Sequence, residues 1–206
     1  MKATVLTAVF ILMTCSGFAQ SVESLKQRVE NLEARVAKLE AAAGGTHEAK
    51  AAKEQIVEGE RVKAKARMSR DLEIYSSEDL GKIEKLYQVA NKEWRSEQGK
   101  NSLKELIAKY DKANRTGCAL LYLGQMSKDD EQIGYLTKAI EGFSGCYYGD
   151  GAQVGAYARM VLAYRYKQDG KADQARALFE EIKAQYPNAI DHGGNLLSEI
   201  TEKELK

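Results

Sequence analysis

Residues 157–187 run YARMVLAYRYKQDGKADQARALFEEIKAQYP. Leu162, Ala163 and Tyr166 recur at helical spacing before Gly170, and Ala175, Phe179 and Ile182 do so after it. Asp169-Gly170 breaks the first pattern, and Pro187 ends the second because it has no amide hydrogen for a continuing helix. The stretch therefore predicts two antiparallel helices, one ending near Gln168 and one running from about Ala172 to Tyr186, joined by a short turn.

The same grammar extends toward the N-terminus. Ser76 and Ser77 followed by Glu78 and Asp79 predict a helix start, and Leu80, Ile83, Leu86, Tyr87 and Ala90 continue it. Further helices are predicted around Leu103–Tyr110, from Ala113 to Met126, and from a Ser127 cap through Phe143. Asp150 is the expected cap of the helix that reaches Gln168, and Asn188 that of a last helix through Glu204. The chain also repeats itself. Tyr110-Asp-Lys-Ala113, Phe143-Ser-Gly-Cys146 and Tyr186-Pro-Asn-Ala189 begin 33 and 43 residues apart, a period suited to stacked helix pairs. In two copies a Gly-x-x-Leu-Leu run follows at the same offset, at Gly117–Leu121 and Gly193–Leu197.

Leu162, Ala163, Tyr166, Gly170, Ala175, Phe179, Ile182 and Pro187 resemble the tetratricopeptide repeat. Arg159 stands where that family often has Trp, and Ile182 where it usually has Ala. Ala119 and Tyr122 echo Ala163 and Tyr166. The resemblance covers about 77–187 and implies an all-α solenoid of about three helix pairs plus a C-terminal capping helix, occupying 76–206. It also implies a concave groove lined by the first helix of each pair. Carried onto the last repeat, that groove receives Tyr157, Met160, Tyr164 and Lys167, side chains suited to a protein or peptide segment. Simple packing of Tyr157 and Tyr164 against neighbouring helices is the alternative.

The N-terminal part has a different character. Lys2, the apolar run Ala3–Met13 and the small residues around Gly17-Phe18-Ala19 predict an export signal over 1–19. A lipoprotein modified at Cys15 is the rival reading. Val22, Leu25, Val29, Leu32, Val36 and Leu39 then follow a strict heptad, so 20–43 is expected to form a short self-associating coiled coil. Arg28 with Glu33 and Arg35 with Glu40 would pair between neighbouring copies. Valine at the a positions with leucine at d favours a dimer, but the repeated Arg-apolar-x-x-apolar-Glu pattern resembles trimeric coiled coils and places a trimer ahead. Residues 44–75 read as a largely helical connector with a poor apolar period. Its basic run Arg61, Lys63, Lys65, Arg67 and Arg70 is diluted by acids, and is read as a solvated helix face rather than a membrane contact. An export signal, a short coiled coil and tetratricopeptide repeats together resemble the layout of the TolA-binding cell-division coordinators of Gram-negative envelopes, although the connector lacks their Gln- or Pro-rich linker. That layout implies a periplasmic scaffold binding envelope proteins.

The chemistry-bearing residues are few. The net charge of +1 excludes a globally basic nucleic-acid binder. His47 and His192 are the only histidines, and no His-Glu-x-x-His, Cys-x-x-Cys or Gly-x-Ser-x-Gly occurs, so neither catalytic nor metal-ligating residues nor a cofactor are expected. His192, beside Asp191, reads as a helix-start residue. After signal removal Cys118 and Cys146 are the remaining thiols, and antiparallel helices would bring them near enough for a disulfide; two buried free thiols are the alternative. The expectation is an exported adaptor without catalysis, set against a helical enzyme or metal protein and a spacer without a dedicated ligand.

Overall fold

The computed structural model describes residues 26–35, 38 and 49–206. The export signal with Cys15, the heptad positions Val22, Leu25, Val36, Leu39 and Glu40, and His47 lie outside the described residues. The chain divides into two units, 1–53 and 54–206. In the first, residues 26–35 are helical, and Val29 and Leu32 of the expected seam are 52% and 55% exposed.

The second unit is all-α. Helical residues 54–69 form α1, and a 3-10 turn, Arg70–Glu73, leads into the rest. There follow α2 (Ser77–Lys92), α3 (Glu97–Lys109), α4 (Asn114–Met126), α5 (Asp129–Phe143), α6 (Val154–Gln168), α7 (Ala172–Gln185) and α8 (Leu197–Glu204). Among the described residues the only β-pairings are two isolated bridges, Tyr147 with Gln153 and Ile190 with Leu196.

Local chemistry explains these boundaries. Ser76 caps α2 by accepting from the Asp79 amide at 3.1 Å, and Ser96 caps α3 through the Gly99 amide at 2.9 Å. At the end of α6, Lys171 donates its amide to the Tyr166 carbonyl and Gly170 to that of Lys167. This paired closure needs a left-handed residue, and Gly170 supplies it at φ 74°. α7 stops before Pro187.

Each helix from α2 to α8 packs on the next, and the even-numbered ones also touch in series: α2 on α4, α4 on α6, α6 on α8. α4 lies at the centre, with ten of its 13 residues buried. Leu103, Leu121, Leu123, Leu136 and Val154 form one apolar core, and Ala163, Phe179, Ile182 and Leu197 a second around α6, α7 and α8.

The three sequence copies form the same turn. Ala113, Cys146 and Ala189 donate their amides to Tyr110, Phe143 and Tyr186 at 3.1, 2.9 and 3.1 Å. Beyond that turn the copies diverge. The first enters α4 at once, whereas the other two pass through a bridged loop before α6 and α8. Gly117 therefore lies inside α4 and Gly193 in a loop, and their expected equivalence does not hold. For the same reason Asp150 does not cap α6, and the last helix begins at Leu197 rather than near Asn188.

α1 belongs to the second unit. The compact unit begins at Glu54 and so takes in much of the stretch read as a connector. α1 touches all three turn regions. Arg67 donates to the Lys112 carbonyl at 3.2 Å, and the Asp71 carboxylate accepts the Asn114 amide at 2.8 Å, capping α4 from outside. A Cβ at Gly151 would sit 3.1 Å from the Arg61 nitrogen, and one at Gly194 would meet Val57 at 3.4 Å. From Val57 to Arg67 α1 rises about 15 Å, and so reaches from the loop at Gly194 to the turn at Lys112. Of the basic run, Arg61, Lys63, Lys65 and Arg70 are exposed, as a solvated face requires, and Arg67 is partly buried; the opposite side of α1 carries Glu60 and Ala64, 3% and 0% exposed, with Asp71 at 5% in the turn that follows.

Candidate functional site

The groove residues expected on α6 are brought to one region, but the chain itself occupies much of it. Met160 is buried in the second core. Tyr164 packs edge-on to Phe179, ring centres 5.5 Å apart, and its hydroxyl donates to Glu204 Oε1 at 3.2 Å. Lys167 Nζ donates to Glu204 Oε2 at 2.6 Å. The hydrogen bond from Lys167 comes first among the causes that hold the Glu204 carboxyl below its ordinary pKa. Tyr157 is half-buried and packs edge-on to His192 at 5.1 Å. Met160, Tyr164 and Lys167 thus form a surface on which α8 rests. A cavity of 270 Å³ remains beside it, lined by Ala172, Ala175, Arg176 and Phe179 with Glu204 and Leu205.

Two polar clusters were not foreseen. Arg159, 9% exposed, occupies the place where the resembled family has Trp. Its guanidinium lies over the Tyr186 ring at 5.1 Å and donates to Glu181 at 2.8 Å, to the Gly155 carbonyl at 3.0 Å and to the Tyr186 hydroxyl at 3.1 Å. A planar cation can replace an aromatic plate while tying α6 to α7. The second cluster joins the two bridged loops. His192 Nδ1 lies 2.7 Å from Asp150 Oδ2, and the Tyr148 ring packs edge-on to the imidazole at 4.7 Å. His192 is therefore not a helix-start residue, and its acidic partner is Asp150 rather than the adjacent Asp191. The hydrogen bond to Asp150 raises the His192 pKa. Burial works against the Asp150 carboxylate, yet the bonds from His192 and the Ala152 amide outweigh it and lower its pKa. No sequence motif marks this pair, because its members are 42 residues apart.

The cysteines are free, and both are buried. Of the two readings, a disulfide or two buried free thiols, this arrangement is the second, and each sulfur has its own contacts. Cys118 donates to the Tyr147 carbonyl at 3.3 Å, and Cys146 Sγ lies 3.7 Å from Arg67 Nη2. Burial is the leading reason that both thiol pKa values rise, which keeps them protonated and weakly nucleophilic.

Among the described residues no three His, Cys, Asp or Glu side chains are grouped to hold a metal ion, and no helix is long and apolar enough to cross a membrane. No family model, no curated protein and no solved structure matches the chain.

Proposed function

We propose that the protein is an exported, non-catalytic scaffold that self-associates through its N-terminal heptads and binds partner proteins on tetratricopeptide-like stacked helix pairs. One observation carries the recognition half of this reading: the α6 residues expected to line a groove, Tyr164 and Lys167, hold an acidic helix, α8. It is supported by the recurrent turn at the end of α3, α5 and α7 and by the serial contacts of α2, α4, α6 and α8, the pattern stacked pairs require. Self-association is supported by Val29 and Leu32, which lie exposed in helical residues 26–35. Both occupy seam positions, and apolar residues in such a stripe gain burial when copies associate. Periplasmic placement rests on the sequence of the first 19 residues.

Light scattering of the full chain at micromolar concentration tests the assembly half. A trimer, or failing that a dimer, is the expected mass, and Val29→Asp with Leu32→Asp should return a monomer. A wild-type monomer would remove self-association from the account. For the recognition half, Tyr157→Ala with Tyr164→Ala should reduce capture of envelope proteins while circular dichroism stays unchanged; equal capture would favour a spacer without a dedicated ligand.

A further inference from the structure

The face of α6 and α7 already holds a ligand of the chain's own making. α8 has eight residues, too few to persist as a helix in water without a partner. Its apolar side, Leu197, Ile200 and Leu205, packs into the second core. Its acidic side meets cations. Glu202 accepts from Lys183 at 2.9 Å, and Glu204 from Lys167 and Tyr164 at 2.6 and 3.2 Å. Arg176 lines the cavity beside Glu204 and Leu205, over a floor of Ala172, Ala175 and Phe179.

From this complementarity we infer that the partner segment bound by the α6–α7 face is an acidic amphipathic helix, with carboxylates placed as Glu202 and Glu204 are and a leucine following, and that α8 competes with it in cis. The inference rests on the recognition reading above and supplies the class of its ligand. The apolar stripe gives most of the affinity, and the charges set orientation and exclude basic or neutral helices. While α8 stays docked, an external helix must displace it, so the apparent affinity falls by the fraction of chains whose face is open. A partner gains access when α8 detaches, which frees Lys167 from Glu204 and uncovers Tyr164 and the apolar floor together.

The probe is a fluorescein-labelled peptide of residues 196–206, titrated by anisotropy against full-length protein. Glu204→Lys places like charges at Lys167 and weakens the cis competitor, so the peptide should bind this variant at least about ten-fold tighter than wild type. Adding Lys167→Glu to Glu204→Lys should reverse that gain by about ten-fold or more. Absence of peptide binding to a folded Glu204→Lys chain, or equal binding with and without Lys167→Glu, would overturn the inference. Should Glu204→Lys prevent folding, hydrogen exchange on the wild-type chain decides. α8 amides that exchange well ahead of α6 and α7 uphold it, and uniform protection across the three helices refutes it. Peptide failure with Tyr157- and Tyr164-dependent capture intact would sink only the acidic-helix class. Loss of both would sink the recognition reading itself.

Discussion

Asn114→Leu should cost the protein a large part of its stability although it removes no charge and keeps the same branching of heavy atoms. Asn114 is 1% exposed at the start of α4. Its Nδ2 donates to the Tyr147 carbonyl at 2.7 Å, and its Oδ1 accepts the Tyr147 amide at 2.8 Å, so one side chain satisfies both backbone groups of a buried residue. Leucine leaves the Tyr147 amide without a partner, and a buried unsatisfied group costs about 1–3 kcal/mol. The carbonyl keeps the Cys118 thiol at 3.3 Å, a weak donor, and loses about 1 kcal/mol. The sum is about 2–4 kcal/mol. The Asn114 amide still reaches Asp71, so the cap of α4 is retained and the loss is specific to the loop. Urea unfolding of the full-length chain measures it. With m of about 2 kcal/mol/M, the midpoint should fall by about 1–2 M. Asn114→Leu within about 0.5 kcal/mol of wild type would show that the loop after α5 is not held by this side chain.

The remaining predictions concern the other ties. His192 has a raised folded-state pKa, so its stabilisation is full below its unfolded value and is lost as pH rises through the folded value. Asp150 is lowered, so its contribution is present above its unfolded value and lost as pH falls through the folded one. The pair should therefore stabilise most between the unfolded pKa of Asp150 and the unfolded pKa of His192, and fade outside that window toward the two folded values; Asp150→Asn should lower the His192 pKa in an NMR titration, and an unchanged titration would remove the pair. Gly151→Ala forces a side chain into φ 101° and against α1 at Arg61, and should cost about 1–3 kcal/mol, read as a Tm lower by roughly 2–4 °C per kcal/mol. A Tm equal to wild type would mean that α1 does not dock on this loop. Arg159→Met keeps an apolar stem but loses the bonds to Glu181, Gly155 and Tyr186, and should lower stability by about 1.5–3 kcal/mol in urea; no change would return Arg159 to a merely tolerated substitution.

Much of the helical order was legible because its signals are local. Ser76 caps its helix as the residue types predict, and the apolar period of 157–187 places α6, Gly170 and α7 in sequence. The helix of α1 was legible, but its packing on the domain was not, for a physical reason. The buried and half-buried residues of α1 and the turn after it are Ile56, Val57, Glu60, Ala64, Arg67, Met68 and Asp71, three of the seven charged, so a search for apolar periodicity finds a weak stripe. The burial is supported by ion pairs, Arg67 with Asp71 at 2.7 Å and Lys63 with Glu60 at 2.6 Å, which a sequence does not display. The bridged loops were absorbed into neighbouring helices because Asp150 and Asn188 look like caps. Asp150 in fact closes its own turn through the Ala152 amide at 3.1 Å and spends its other oxygen on His192. Tyr164 and Lys167 stand out only through the resemblance of one repeat, and their contacts with Glu204 were hidden because they span 40 and 37 residues.

Recognition on the α6–α7 face is tested most directly by a photo-reactive phenylalanine at position 164 of the full-length chain, irradiated in envelope extract and mapped by mass spectrometry. The account predicts cross-links to a foreign segment rich in Asp or Glu, suppressed by excess 196–206 peptide. Cross-links confined to the chain's own α8, with the same extract proteins captured through another surface, would contradict it.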